Sequence, residues 1–274
     1  MRWAGFGRVG LLVGGAIVVA AFAIALSGAF YTPHDPLEGD YNAILQPPTD
    51  TYLLGTDEYG RDLLSRVMQG AGLSLLTSLL VVAASMTIGI TLGSLAGFAG
   101  GRTDALLMTI NDAMMSFPGI ILALSLVAVA GQSMMGVVIA LSVAFAPSVA
   151  RVTRGAVLSV KEMPFVEAHL VLGGSRLGTL FGEVLPNCAS PLIVLATSLL
   201  AEALLAESAL SFLGLGVPPP MATWGGLLAD SRAYIDQAWW LSLFPGLAIA
   251  ITLLGINLAG DGLRDRLDPR MQAA

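Results

Sequence analysis

Residues 164–173 read Pro-Phe-Val-Glu-Ala-His-Leu-Val-Leu-Gly, a mixed polar and apolar stretch that lies between two strongly apolar regions. Pro164 suits the first turn of a helix, where its missing N–H is not needed. Gly173 and the glycine after it offer a helix stop. The spacing therefore predicts a helix of about nine residues, roughly 13 Å long. One face of it would carry an apolar ridge, formed by Phe165, Ala168 with His169, and Leu172.

Such a short helix is not stable alone, so other parts of a protein must hold it. Glu167 would lie near the positive end of its dipole. Spacing alone leaves two interpretations open. The helix is either an ordinary loop helix that rests on its own chain or a contact element for a second protein.

The composition indicates an all-α polytopic membrane protein. Of the 274 residues, 55% are hydrophobic and 12% are charged, whereas soluble domains have about 25% charged residues. The net charge of −6 argues against a nucleic-acid partner. The lone Cys188 cannot form a disulfide within the chain, and His34 and His169 are too far apart in sequence to suggest a metal site.

Long charge-free runs predict six transmembrane helices. The expected spans are Leu11–Phe30, 74–98, 113–130, 134–150, Pro191–Phe212 and Leu241–Ala259. The first could instead be a signal peptide, although it is longer than the usual apolar core of one. The charge-free run 67–101 exceeds one span, so part of it is expected to lie along the membrane surface. Within it, three glycines recur every fourth residue and predict a helix–helix contact stripe, with a pore lining as the alternative.

Six spans place both termini on one side of the membrane. Basic residues are concentrated on that side, which the positive-inside rule assigns to the cytoplasm together with the loop 164–186. The residues on this side are Arg2, Arg8, Arg102, Arg151, Arg154, Lys161, Arg176, Arg264, Arg266 and Arg270. We divide the chain into an N-terminal helix with an extracytoplasmic loop (1–72), a five-helix core (73–260) and a cytoplasmic tail (261–274).

Two further stretches carry polar residues that the membrane class does not explain. In the outer loop, Thr56 is expected to cap a surface helix that leads into the second span. In the fifth span, a carboxylate in hydrocarbon costs roughly 2.5 kcal/mol or more, so Glu202 and Glu207 should not face lipid. For Glu207, with Ser211 nearby, a translocation path or gate and a hydrogen bond inside a subunit interface are equally open. For Glu202 the interface is favoured.

The loop 164–186 resembles the EAA loop of import-type ABC-transporter permeases. The resemblance rests on Glu167-Ala168, Gly173 and Leu185-Pro186, while His169 and Glu183 depart from the pattern. In that family the loop is a coupling helix that sits in a groove of a cytoplasmic ATPase. The resemblance therefore implies that the ridge residues, Glu167, Gly173, Leu185 and Pro186 serve ATPase coupling.

Four other blocks are similar to the C-type permease subunit of dipeptide, oligopeptide and nickel importers. They are 54–66, 116–119, 205–218 and 260–265, and with the loop they extend the resemblance over about 52–270. The resemblance implies the type I ABC importer permease fold in a bacterial or archaeal plasma membrane. It also implies a B-type permease partner, two ATPase subunits, an extracytoplasmic substrate-binding protein and a peptide substrate.

No Walker A sequence occurs in the chain, so we expect it to be no enzyme by itself and to hold no cofactor. ATP and Mg²⁺ would be bound by the partner ATPases. Two rival classes remain open. One is a proton-driven secondary transporter with Glu202 and Glu207 as relay groups. The other is a structural or signalling subunit that transports nothing. Nickel, glutathione-like or antibiotic peptides also remain open as substrates.

Overall fold

The computed structural model describes residues 4–267, and this range is helical almost throughout, with no β-strand. Its helices are α1 (Ala4–Phe30), α2 (Leu63–Ala99), α3 (Gly101–Met115), α4 (Gly119–Ala130), α5 (Met134–Lys161), α6 (Pro164–Val171), α7 (Arg176–Thr179), α8 (Leu185–Asn187), α9 (Ala189–Phe212), α10 (Trp224–Ser231) and α11 (Trp240–Leu267). A π-helical segment joins α7 to α8, and short 3₁₀ turns cover Tyr41–Ala43 and Arg232–Tyr234.

Five helices of the described range are long and apolar enough to cross a membrane, namely α1, α2, α5, α9 and α11. They confirm the all-α polytopic class and five of the six expected spans. The predicted division points near 72 and 260 fall inside α2 and α11, so neither marks a break in the chain.

The expected surface segment before the second span is wrong, because α2 is one continuous helix of 37 residues. At 1.5 Å per residue it is about 55 Å long, well beyond the hydrocarbon thickness of about 30 Å. Gly70 does not interrupt it, since Trp224 of α10 packs directly against that position. Packing against α10 thus keeps the start of α2, which contains Gly70, helical.

The expected third span, 113–130, is also wrong as a straight helix. α3 already begins at Gly101, and α3 and α4 meet at an angle of 90°. The break falls at Ser116–Pro118, where Pro118 has no N–H to donate and restricts the residue before it. α4 has 12 residues, about 18 Å, which is too short to cross a bilayer alone. A sixth span exists only if the bent pair counts as one.

The expected surface helix that begins at Thr56 is wrong as well. The carboxylate of Asp57 accepts the backbone N–H groups of Tyr59 and Arg61, both at 2.9 Å, and this folds the chain into a turn. α2 instead begins after Asp62, whose carboxylate caps it by accepting the backbone N–H three residues on at 3.0 Å. The acidic residues therefore build a turn and a cap rather than a first helical turn.

The glycine stripe of α2 packs against α5, which supports the contact interpretation of that stripe. A Cβ atom added at Gly89 would lie 2.4 Å from Cβ of Val149, and one added at Gly93 would lie 2.3 Å from the carbonyl oxygen of Ala150. Gly97 faces α5 in the same way. The two backbones can approach this closely only because three side chains are missing.

The remaining long helices complete one bundle. α1 packs along α11 and also touches α2, while α9 lies against α2, α11 and α10. At the α1–α11 contact, a Cβ added at Gly14 would lie 2.6 Å from the carbonyl oxygen of Gly255. Small residues therefore set the spacing at this helix pair too.

Gly93→Ala is expected to destabilise the protein by about 1–3 kcal/mol, because the added methyl group collides with the backbone of α5. Gly155→Ala is the matched control, since a Cβ at that helical position meets nothing within 4 Å. The measurement is thermal unfolding of the purified protein in detergent. Equal melting temperatures for Gly93→Ala and Gly155→Ala would contradict the tight α2–α5 contact.

Candidate functional site

The short helix α6 follows the end of α5 directly, and its position is fixed by one buried side chain. Pro164 lies in its first turn, as predicted, and the helix ends one residue earlier than expected, with Leu172 as the first residue after it. Val166 is only 1% exposed and packs with Val157 of α5 in a small apolar cluster. Val166 was not predicted as the anchor, because the helical spacing of the apolar ridge selects its neighbour Phe165 instead.

The predicted helix stop is confirmed. The backbone N–H of Gly174 donates to the carbonyl oxygen of His169 at 3.0 Å, and that of Gly173 donates to Leu170 at 3.1 Å. These two bonds form a Schellman motif, in which Gly173 adopts φ +92°. A residue with a side chain would be strained in this left-handed conformation.

The surface of this segment is unusually apolar. Phe165 is 40% exposed and Leu172 is 87% exposed, so the predicted ridge points away from the chain's own core. Four more large apolar side chains of the segment are exposed, namely Leu170, Val171, Leu177 and Phe181. Glu167 and Ala168 are also exposed. The segment is thus anchored on one side and presents an apolar surface on the other.

The two residues that depart from the family pattern contact each other. Nδ1 of His169 lies 3.5 Å from Oε1 of Glu183, and both side chains are a little over one-third exposed. The imidazole of His169 fits here because Gly174, which lies against it, has no side chain. A Cβ added at Gly174 would lie 2.1 Å from Cδ2 of His169. The pair connects α6 to the π-helical segment Leu180–Val184.

The second half of the motif, Leu185-Pro186, lies just after this π-helical segment. Pro186 cannot donate a backbone hydrogen bond, and a proline at such a position disturbs the preceding helical turn. Leu185 packs against the same cluster as Val166, whereas Pro186 is exposed. Cys188 is buried and packs in the same cluster, and burial raises the pKa of its thiol.

The two acids of α9 lie in different surroundings. Glu202 is exposed, whereas Glu207 is 1% exposed and accepts a hydrogen bond from the hydroxyl of Ser211 at 2.8 Å. The hydroxyls of Ser74 and Thr223 also approach the Glu207 carboxyl, which places it where α2, α9 and the start of α10 meet. Its second oxygen, Oε2, makes no hydrogen bond with good geometry in the described range.

The structure therefore does not bring the predicted residues into one site. The loop residues 165–186 and the α9 acids belong to separate parts of the chain, and Glu202 and Glu207 do not face each other. Within residues 4–267, no group of His, Cys, Asp and Glu side chains is arranged to hold a metal ion. The arrangement provides an apolar contact surface and a buried carboxyl group.

Comparison with known proteins gives consistent matches. The profile of the family "Binding-protein-dependent transport system inner membrane component" matches residues 89–273. A di/tripeptide transport system permease protein of Pseudomonas aeruginosa is 45% identical over 91% of this chain and 84% of that protein. A probable D,D-dipeptide transport system permease protein of Escherichia coli is 40% identical over 93% and 85%.

A glutathione transport system permease protein of Pectobacterium atrosepticum is 37% identical over 94% of this chain and 86% of that protein. Among solved structures, an inward-facing conformation of the MetNI methionine ABC transporter superposes with a TM-score of 0.62. The match covers 74% of this chain and 96% of that one, at 19% identity, and it shows the shared fold.

His169→Ala and Glu183→Ala are each expected to speed up deuterium exchange of the α6 backbone amides. The expected change is up to about fivefold, since an exposed contact of this kind contributes about 0.2–1 kcal/mol. The double variant should add little to either single change, because both remove the same contact. His34→Ala is the control, because His34 lies in the other, 31–62 loop. Additive effects of the two single changes would contradict the pairing.

Proposed function

This chain belongs to the family of inner-membrane components of binding-protein-dependent transport systems, and we propose that it serves a peptide importer. It is a multi-pass permease subunit of an ABC importer and works within a multi-subunit complex. Support for peptides comes from the relatives, which are named for di/tripeptide, D,D-dipeptide and glutathione transport. These named substrates are all short peptides.

The proposed complex contains a homologous B-type permease subunit, two cytoplasmic ATPase subunits and an extracytoplasmic substrate-binding protein. This chain would form one half of the translocation path. ATP and Mg²⁺ would be bound by the ATPase subunits, which supply the energy for transport. Glu207 with Ser211 is a candidate for the path or its gate, and exposed Glu202 is a candidate for contact with the partner permease.

The observation that carries the proposal is the geometry of α6. Val166 anchors this helix to the end of α5, while its opposite surface is exposed and apolar. An ATPase that binds this surface can therefore push α6 and α5 together as one unit. Phe165, Leu172 and the exposed residues next to them are the proposed contact, and the His169–Glu183 pair keeps α6 in position on the segment that follows it.

The proposed orientation places both termini and α6 in the cytoplasm, which the distribution of basic residues supports. Cysteines introduced at Asp50 and Glu162 test it, since both positions are exposed. In a Cys188→Ala background, an impermeant thiol reagent applied outside intact cells should label the first cysteine and leave the second unlabelled. The reverse pattern, or labelling of both, would contradict this orientation.

Gly173→Val is expected to abolish uptake of radiolabelled alanyl-alanine by cells that produce the whole complex. The φ of +92° strains any side chain there, so α6 would end differently and its contact surface would be misplaced. Glu167→Ala should reduce uptake only partly, because it removes a dipole interaction of about 0.3–1 kcal/mol.

Gly182→Val is the matched control, since a Cβ at this position meets nothing within 4 Å and φ is not positive. Uptake and co-purification of the ATPase subunits are compared at equal membrane levels of all variants. Normal uptake by Gly173→Val would mean that the segment is an ordinary loop. No uptake of alanyl-alanine by the unmodified complex would argue against a peptide substrate.

A further inference from the structure

A cavity of about 390 Å³ lies at the end of α9 that leads into α10, away from α6. Its walls come from the turn around Glu58, the start of α2, the Gly- and Pro-rich segment 214–223, and α10. This volume is typical of small-molecule sites. In the proposed orientation the cavity lies on the extracytoplasmic side.

Both arginines in the cavity wall already have carboxylate partners. Nε of Arg61 lies 2.7 Å from Oδ2 of Asp57, and its Nη2 lies 3.6 Å from Oε1 of Glu58. Nε of Arg66 lies 3.2 Å from the same oxygen of Asp57, and Arg66 is 3% exposed. The positive charges of the two guanidinium groups are therefore largely neutralised by Asp57 and Glu58. The arginines attract an incoming anion only weakly.

Asp230 is the carboxylate of the cavity wall that forms no ion pair in the described range 4–267. The next cation along the chain, Arg232, is directed elsewhere. Its guanidinium lies 4.4 Å above the ring centre of Phe212 and donates to the Phe212 carbonyl oxygen at 2.9 Å. Desolvation raises the pKa of both Asp230 and Glu58 and outweighs the opposing effect of the nearby arginines, so a further cation would stabilise both carboxylates.

The inner wall of the cavity leads to a third carboxyl group. Ser211 and Thr223 line the cavity, and the hydroxyl of Ser211 donates to Glu207 at 2.8 Å. The Oε2 atom of Glu207 is buried and makes no hydrogen bond with good geometry in the described part of the chain, although the hydroxyls of Ser74 and Thr223 approach the carboxyl. A buried carboxyl group therefore lies one side chain behind the cavity wall.

We propose that this cavity binds the ammonium group of the transported peptide, with Asp230 as its principal partner. Glu58, whose contact with Arg61 is long at 3.6 Å, is the second partner. The assignment of a peptide rests on the proposed function. The cavity is a contact point that belongs to the permease itself, separate from any site on the substrate-binding protein. Its chemistry selects a free amino terminus over a blocked one.

The first test measures the charge preference of the cavity. Ala229 lines it, so Ala229→Cys in a Cys188→Ala background places a thiol there. The whole complex is used in right-side-out vesicles washed free of binding protein, and labelling of this chain is followed by mass spectrometry. A trimethylammonium-ethyl thiosulfonate should react about tenfold faster than a sulfonate-ethyl one, after correction for their rates with a free thiol.

Asp230→Asn and, separately, Glu58→Gln should reduce this ratio toward one. Asp236→Asn is the matched control, because Asp236 is an exposed acid close in sequence to Asp230 that does not line the cavity. A ratio near one before either change would overturn the proposal. So would a ratio that Asp230→Asn and Glu58→Gln leave unchanged.

The second test identifies the ligand. Alanyl-alanine should slow the cationic labelling, and N-acetyl-alanyl-alanine should not. Equal protection by both peptides, or protection by neither, would overturn the ammonium assignment. The uptake assay distinguishes a failure of the cavity proposal from a failure of the proposed function. Selective protection without any uptake would refute the peptide importer, whereas uptake without selective protection would refute only the cavity.

Discussion

The close approach of α2 and α5 is the constraint on which the rest of the structure depends. Inside a bilayer no water is released when two helices meet, so association depends on packing and short contacts. Gly93 allows the backbone of α2 to lie against the carbonyl of Ala150, where even a methyl group would collide. Ser85 and Ser142 reinforce the contact, each donating a hydrogen bond of 3.4 Å to a carbonyl oxygen of the opposite helix. This pair fixes α5, and α5 in turn positions the elements that follow it.

One such element is the short helix α6, which has too few residues to be stable in isolation. Its stability is tertiary, supplied by Val166 in the cluster with α5 and by the His169–Glu183 contact. The same arrangement explains how the proposed coupling would work. In the proposed coupling, a force applied to the exposed apolar surface would pass through Val166 to α5, and from α5 through the glycine contact to α2.

At the end of the bundle opposite α6, two indole N–H groups hold neighbouring elements together. Trp224 of α10 donates to the carbonyl oxygen of Val67 at 3.0 Å, and Trp240 of α11 donates to that of Thr56 at 3.1 Å. These bonds hold α10 against α2 and the start of α11 against the turn at Asp57. The α10 wall of the cavity is therefore held against α2, and Glu207 is enclosed where α2, α9 and the start of α10 meet.

The sequence by itself determined the all-α membrane class, five of the spans, the glycine stripe and the helix stop at Gly173. These features depend on local hydrophobicity and on the backbone conformations open to single residues, which a sequence states directly. Only the tertiary structure decided that α2 is unbroken, that Asp57 forms a turn, that Val166 faces inward, and that Glu207 is buried. Each of these depends on a packing or hydrogen-bonding partner that lies far away in sequence. The bend at Pro118 is intermediate, because proline marks the break locally, whereas the 90° angle between α3 and α4 and the packing of α4 on α5 are seen only in the tertiary structure.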